Sequence, residues 1–194
     1  MSVRIATAED LPAILAIYAP YVENTTVSFE YAVPTLEEFT ARFDAITNQF
    51  PWLVWEENGA VLGYAYGSLP FDRAAYRWCS EASVYIAENA RGRGIGKALY
   101  QALELCLAKQ GYRNVYALVT TENEASLAFH QAVGYRETAR FPDCGFKMGR
   151  WLGVVWLEKL LNSVETPSNF PEAFPALIQN VQNLPAILAN LSLS

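Results

Sequence analysis

The chain has 194 residues, 52% of them hydrophobic and 13% aromatic, which suits one domain with a substantial core and excludes global disorder. Its net charge of −6 and pI near 4.9 speak against nucleic acid as a general partner, because phosphate backbones select basic surfaces. Three cysteines, Cys79, Cys106 and Cys144, stand in no metal-ligand spacing and fit reduced thiols in a cytoplasmic protein without a metal centre.

No apolar stretch reaches about 18 residues, so no membrane span is expected. Acidic residues also interrupt the N-terminal apolar positions where a signal peptide needs an unbroken run. In chain order, residues 3–6 alternate like a short strand. Thr7 is an N-cap candidate for a helix with Leu11, Ile14, Leu15 and Tyr18 on one face. "NTTVSFEYAV" reads as a loop. Pro34 and Thr35 introduce an amphipathic helix, "LEEFTARFDAIT", striped by Leu36, Phe39, Phe43 and Ile46. "LVWEE" and "AVLGYAYGSL" form a hairpin about Asn58-Gly59, and "YRWCSEASVYI" reads as one long strand. "GKALYQALELCLAKQGY" is a helix stopped by Gly111. "NVYALVT" is a buried strand, "NEASLAFHQAVGY" a helix and "VVWLEKLL" a closing strand. Hairpins first and helix–strand alternation later predict an α/β (α+β) fold, a mixed, partly antiparallel sheet flanked by helices. The segment 162–194 differs: it is apolar with few charges, and Pro175 and Pro185 limit any helix there to short pieces. It reads as a tail lying on the domain, residues 1–161, or on a partner subunit.

"SVYIAENARGRGIGKALYQAL", residues 83–103, places three glycines between a strand and a helix. The P-loop pattern fails, because Ala98 follows Gly96-Lys97 and Arg91 stands at the first glycine position. The dinucleotide fingerprint fails too, since Lys97 or Leu99 occupies its third glycine position. What remains is Arg91-x-x-Gly94-x-Gly96. Backbone amides bared by glycine, together with the positive end of the helix, suit a pyrophosphate. Arg91, Arg93 and Lys97 add local positive charge.

R-x-x-G-x-G after a strand resembles the acetyl-CoA signature of the GNAT acetyltransferase superfamily. "NTTVSFEY", "AYRWCSEASVYI", "RGRGIGKALY", "NEASLAFHQAVGY" and "GFKMGRWLGVVW" are similar, in order and spacing, to its phosphinothricin/methionine sulfoximine N-acetyltransferase branch. The similarity covers roughly residues 2–161. It implies a GNAT sheet whose splayed central strand binds acetyl-CoA, with no metal, and a homodimer. Val84, Tyr85 and Ile86 would meet the pantetheine arm. Gly92, Arg93, Gly94, Ile95, Gly96 and Lys97, with Arg91, would hold the pyrophosphate. Asn123 and Ser126, at the head of the next helix, would complete the cofactor site, and Asn123 is equally a good N-cap.

Acetyl transfer to an amine needs a base for the ammonium, a donor for the oxyanion and a proton for the leaving thiolate. Read from the residues alone, Glu81 is either a solvent-facing strand glutamate or a desolvated base; the resemblance implies the base. His130, the only histidine, is either a core-edge histidine or, as the resemblance implies, a general acid or active-site organiser. A backbone amide of Tyr85 or Ile86 would take the oxyanion. Phe29, Glu30, Phe71, Arg73, Tyr76, Lys147 and Arg150 match regions that shape the amine site in the family, and Lys147 and Arg150 fit a plain strand surface as well. Two departures from the family pattern, Cys79-Ser80 for Thr-Val and Gly153 for Asp, lie on the acceptor side. The expected function is acetylation of a small amino acid or analogue, a small-molecule amine, by direct transfer. A peptide N-terminal or polyamine acetyltransferase and a non-catalytic acyl-CoA-binding sensor stand as alternatives.

Overall fold

The computed structural model describes residues 1–163 and 166–191. Seven strands form one open sheet in the order β1-β2-β3-β4-β5-β7-β6. They are β1 (Ser2–Ile5), β2 (Trp52–Glu57), β3 (Ala60–Ser68), β4 (Cys79–Ile86), β5 (Asn114–Thr120), β6 (Arg136–Lys147) and β7 (Arg150–Leu160). All neighbours are antiparallel except β4 and β5. Helices α1 (Leu11–Asn24) and α2 (Leu36–Thr47) cover one face. The other face carries α3 (Ile95–Gln110), α4 (Glu124–Ala132), α5 (Phe174–Asn180) and α6 (Leu184–Ala189). Trp52 and Val54 of β2 pack toward α1 and α2, while Leu53 and Trp55 pack toward α3. Burial on both faces explains why that strand is continuously apolar instead of alternating.

Local signals place the helices well. Thr35 Oγ1 accepts from the Glu38 amide, and the Glu38 carboxylate accepts from the Thr35 amide, a reciprocal cap that starts α2. Of the α2 stripe, Phe39 and Phe43 are buried, Ile46 is half-buried and Leu36 is exposed. Gly111 ends α3 at φ +97°, a left-handed conformation that favours glycine. Thr7 caps a short 3₁₀ turn, Ala8–Asp10, and α1 follows from it.

One expectation is corrected, and one strand is new. The long strand "YRWCSEASVYI" begins only at Cys79, because Ala74–Tyr76 turn as a 3₁₀ segment. β6 was absent from the sequence reading. It is an outer strand, exposed along most of its length, so it carries no burial alternation, and Pro142 with a register shift between Phe141 and Gly145 breaks its pattern further. In the tail the helices are short, as expected, at 7 and 6 residues, and Pro175 and Pro185 lie in the first turn of α5 and α6, where a missing N–H costs nothing. Phe174, Leu177, Leu184 and Leu188 are buried in the main core. Positions 164–165 and 192–194 of the tail reading lie outside the described residues.

Candidate active site

The site is built on an interruption of the sheet. β4 and β5 pair only through Cys79–Asn114, Ser80–Val115 and Glu81–Tyr116. Beyond that point β4 stays on β3 through Ile86, and β5 stays on β7 through Thr120. The two strands therefore part at Glu81 and leave a wedge whose walls are backbone. Ala87 N–H donates to Leu62 on β3 at 2.9 Å, so by the two-residue alternation Tyr85 also faces β3. Ala82, Val84 and Ile86 then direct their amides and carbonyls into the wedge. Two contacts agree with this: Tyr21 donates its hydroxyl to the Ile86 carbonyl at 2.6 Å, and the Tyr100 hydroxyl lies 3.4 Å from the Ala82 carbonyl. The expected contact through the Tyr85 backbone is thus corrected, and its amide is no candidate for the oxyanion. Val84 presents the open backbone, while the Ile86 amide and carbonyl both meet the Tyr21 hydroxyl.

The wedge runs into the glycine turn. Gly92 and Gly94 have φ of +73° and +79°, and a Cβ on Gly92 would meet nothing within 4 Å, so conformation and not crowding requires glycine there. Gly94 is the N-cap of α3, whose first amide bonded back to it is that of Ala98. Ile95 is a core side chain, leaving only its amide for a ligand. Gly96 lies under the Phe129 ring, where an added Cβ would be 3.7 Å away. The Arg91 guanidinium stacks over Tyr21 at 5.0 Å, Arg93 pairs with Glu57 at 2.6 Å, and Lys97 is exposed. These features fit a diphosphate: bared amides, a helix start and cations at one turn.

Glu81 is half-buried at the apex of the wedge, and loss of water around it pushes its pKa up to about 7. Glu81 lines two spaces. A narrow channel of about 60 Å³ runs between the parted strands past Val84, Tyr100, Asn123, Ser126 and His130. A wider pocket of about 470 Å³ opens toward Tyr18, Phe29, Glu30 and Tyr66. Both are lined by Glu81, Ser83, Tyr85 and Thr120. A larger cavity of about 520 Å³ lies near Trp78, Arg113 and Phe170, but among the described residues no carboxylate lines it. It sits at the end of β4 away from the glycine turn.

His130 is buried, and desolvation lowers its pKa. Its Nδ1 lies 2.7 Å from the Ser126 carbonyl, which can only accept, so Nδ1 carries the proton. The unprotonated Nε2 therefore accepts from the Tyr100 hydroxyl at 2.8 Å. Neutral His130 thus has both nitrogens engaged. Asn123 caps α4 by accepting from the Ser126 amide at 3.2 Å.

Of the expected amine-site residues, Phe29 and Glu30 line the pocket with Glu81, and Glu30 is paired with Arg42 at 2.8 Å. The others do not line it. Phe71 stacks on Trp156 and meets Tyr116 edge-on, and Tyr76 packs on Phe71. Arg73 is exposed at the head of the 3₁₀ turn. Arg150 reaches Glu122 at 2.8 Å. Lys147 is buried, and three backbone carbonyls take its three protons, which leaves none for a substrate. The sequence reading missed Tyr18, Tyr66, Ser83 and Tyr100. Tyr66 and Ser83 could have been found by placing them opposite each other on β3 and β4, on the same face as Glu81.

Residues 3–156 match the family model described as an acetyltransferase (GNAT) domain. The chain is 40% identical over 167 residues to a phosphinothricin N-acetyltransferase of Alcaligenes faecalis, covering 85% of each. It is 38% identical over 161 residues to an L-methionine sulfoximine/L-methionine sulfone acetyltransferase of Pseudomonas paraeruginosa, covering 81% of this chain and 92% of that one. A crystal structure of a phosphinothricin acetyltransferase from Sinorhizobium meliloti in complex with acetyl-CoA superposes with a TM-score of 0.83 at 36% identity, covering 90% of this chain and 95% of that one. With the wedge, the glycine turn and the seven-stranded sheet, these likenesses establish that the chain belongs to the GNAT acetyltransferase family, as an N-acetyltransferase.

Proposed function

We propose that this enzyme transfers the acetyl group of acetyl-CoA directly to the amino group of a small amino acid or analogue of the phosphinothricin or methionine sulfoximine kind, with Glu81 as general base. The observation that carries the reading is Glu81 itself, a carboxylate with its pKa raised to about 7 that lines both the channel and the pocket. At neutral pH such a group is partly ionised yet basic enough to take a proton from an ammonium. Bound acetyl-CoA supplies an activated acetyl thioester. The chain supplies the grip on it: amides of Gly92 through Lys97 for the diphosphate, the open Val84 backbone for the arm, and the Val84 N–H for the oxyanion. Asn123 and Ser126 frame the channel beside them. His130 acts as an organiser, holding the Tyr100 hydroxyl against the channel wall, because its own Nδ1 proton is committed to Ser126.

Glu30 and Glu81 give the pocket an acidic wall that suits an ammonium, and Phe29 closes one side. One observation favours a second reading, a polyamine or peptide N-terminus. No lysine or arginine lines the pocket among the described residues, so the wall holds no partner for a substrate carboxylate. The names of the relatives favour the amino-acid reading. The test is release of free coenzyme A thiol with phosphinothricin, methionine sulfoximine, free amino acids, spermidine and a short peptide. The highest kcat/KM is expected with an amino-acid analogue. Measurable coenzyme A binding without release on any amine would make the chain an acyl-CoA sensor.

The proposal extends to a homodimer in a reducing cytoplasm. Phe141, Phe146, Met148 and Trp151 stand exposed on the β6–β7 hairpin, an apolar edge that a second copy would cover, and all three thiols are free. Sedimentation at micromolar concentration tests the dimer.

A further inference from the structure

We propose that Lys147 is a positioning residue that sets the amine-side wall of the pocket, anchoring the segment that carries Phe29 and Glu30 without touching substrate. The inference rests on the reading that the amine lies between that wall and Glu81. Lys147 ends β6, and its ammonium donates to the carbonyls of Val22 at 2.7 Å, Thr25 at 2.8 Å and Ser28 at 2.6 Å. Val22 lies in the last turn of α1, where carbonyls lack helical partners and the dipole is negative. Thr25 and Ser28 belong to the irregular run that follows. A compact ammonium with three donors can gather three converging carbonyls, a geometry the planar fork of arginine does not match.

The same hairpin grips the same segment at further points. A Cβ on Gly145 would come within 2.3 Å of the Phe29 ring, so the ring lies directly on the glycine backbone. The Tyr31 hydroxyl donates to the Phe146 carbonyl. Arg150, opposite Lys147 across a turn with positive φ at Met148 and Gly149, holds Glu122, which also accepts from Thr26 at 2.5 Å. Ser28 is tied from the inside as well, its hydroxyl 2.7 Å from that of Tyr18. Glu30 is the acidic group whose charge reaches Lys147, and Arg42 neutralises it from α2. Residues 25–31 have no helix or strand of their own, so these side-chain ties fix where Phe29 and Glu30 stand. Among them, Lys147 alone holds three points.

The test compares wild type, Lys147→Met and Lys147→Cys treated with bromoethylamine, which rebuilds a lysine-like ammonium. Wild type treated identically controls for alkylation of the native thiols. With Lys147→Met, KM for the amine should rise at least tenfold, KM for acetyl-CoA should stay within twofold, and amides of residues 25–31 should exchange faster with deuterated solvent. The alkylated cysteine should restore at least half of both effects. Unchanged amine KM, faster exchange without a KM change, or a parallel rise in both KM values would each overturn the proposal. If wild type acetylates no amine, the functional reading fails together with the substrate half of this inference, and the exchange data decide whether Lys147 anchors the segment.

Discussion

Glu81 and Tyr116 are the last cross-strand partners between β4 and β5, so the carboxylate stands at the point where the sheet opens. Pairing holds the Glu81 backbone in place while the parted strands beyond it leave room for two reactants. Glu81→Gln should therefore lower kcat by about 10²- to 10⁴-fold, the usual range for losing a positioned base. Coenzyme A affinity, measured by calorimetry, should stay within about threefold, since the diphosphate turn is at the other end of β4. A smaller loss than tenfold would remove Glu81 from the chemistry.

The raised pKa of Glu81 also fixes two pH dependences. Activity needs the ionised form, so kcat/KM should climb as pH rises through about 7 and level off above it. Stability runs the other way. The folded protein holds this proton more tightly than the unfolded chain does, so the contribution is fully present below about pH 4.5 and is lost as pH rises through about 7. Glu81→Gln, which cannot ionise, should gain stability over wild type at pH 8 and little at pH 4, as read by urea unfolding at both pH values.

His130 and Tyr100 form a buried pair whose removal by halves strands a polar atom. Tyr100→Phe leaves Nε2 of His130 without its donor and should cost about 1–3 kcal/mol of unfolding free energy. Following it with His130→Leu should cost less than the sum of the two single changes. Strict additivity in that double-mutant cycle would show that the two side chains do not interact.

At Gly94, φ of +79° is strained for any side chain with a branched Cβ. Gly94→Val should displace the amides at the head of α3, weaken coenzyme A at least roughly tenfold and leave the amine site unaltered. Calorimetric titration with coenzyme A checks the affinity, and an unchanged dissociation constant would detach the turn from the diphosphate.

The tail offers a test of its own. Phe174 is buried against the main core, so Phe174→Ala should cost about 3–5 kcal/mol, a value typical of a truncated core aromatic. A loss below 1 kcal/mol in urea would mean that the segment lies loosely on the domain.

Elements whose signals are local were legible before any coordinates. Pro34-Thr35, Asn58-Gly59 and Gly111 each mark a helix start, turn or stop through their own chemistry, and the boundaries they imply agree with the structure. The glycine turn was legible for the same reason. What escaped depends on partners distant in sequence. β6 owes its extended form to pairing with β7 and carries no pattern of its own. Lys147 looks like any strand-surface lysine until Val22, Thr25 and Ser28 are brought beneath it. His130 left a core-edge histidine, an acid and an organiser all open, and only the bonds to Ser126 and Tyr100 show that its single proton is engaged. The parting of β4 from β5 was expected only through the family resemblance, since a run of apolar residues does not show which edge each strand prefers.

A seam inside a sheet is also a hazard, because naked strand edges invite other chains to pair there. Tyr21 serves as a stopper, its phenol oxygen shared between donor and acceptor of a single residue, Ile86. Any molecule that takes that edge must first displace it. Occupancy of the seam near Ile86 is consequently an exchange of one partner for another, with a net enthalpy well below what the count of new contacts suggests.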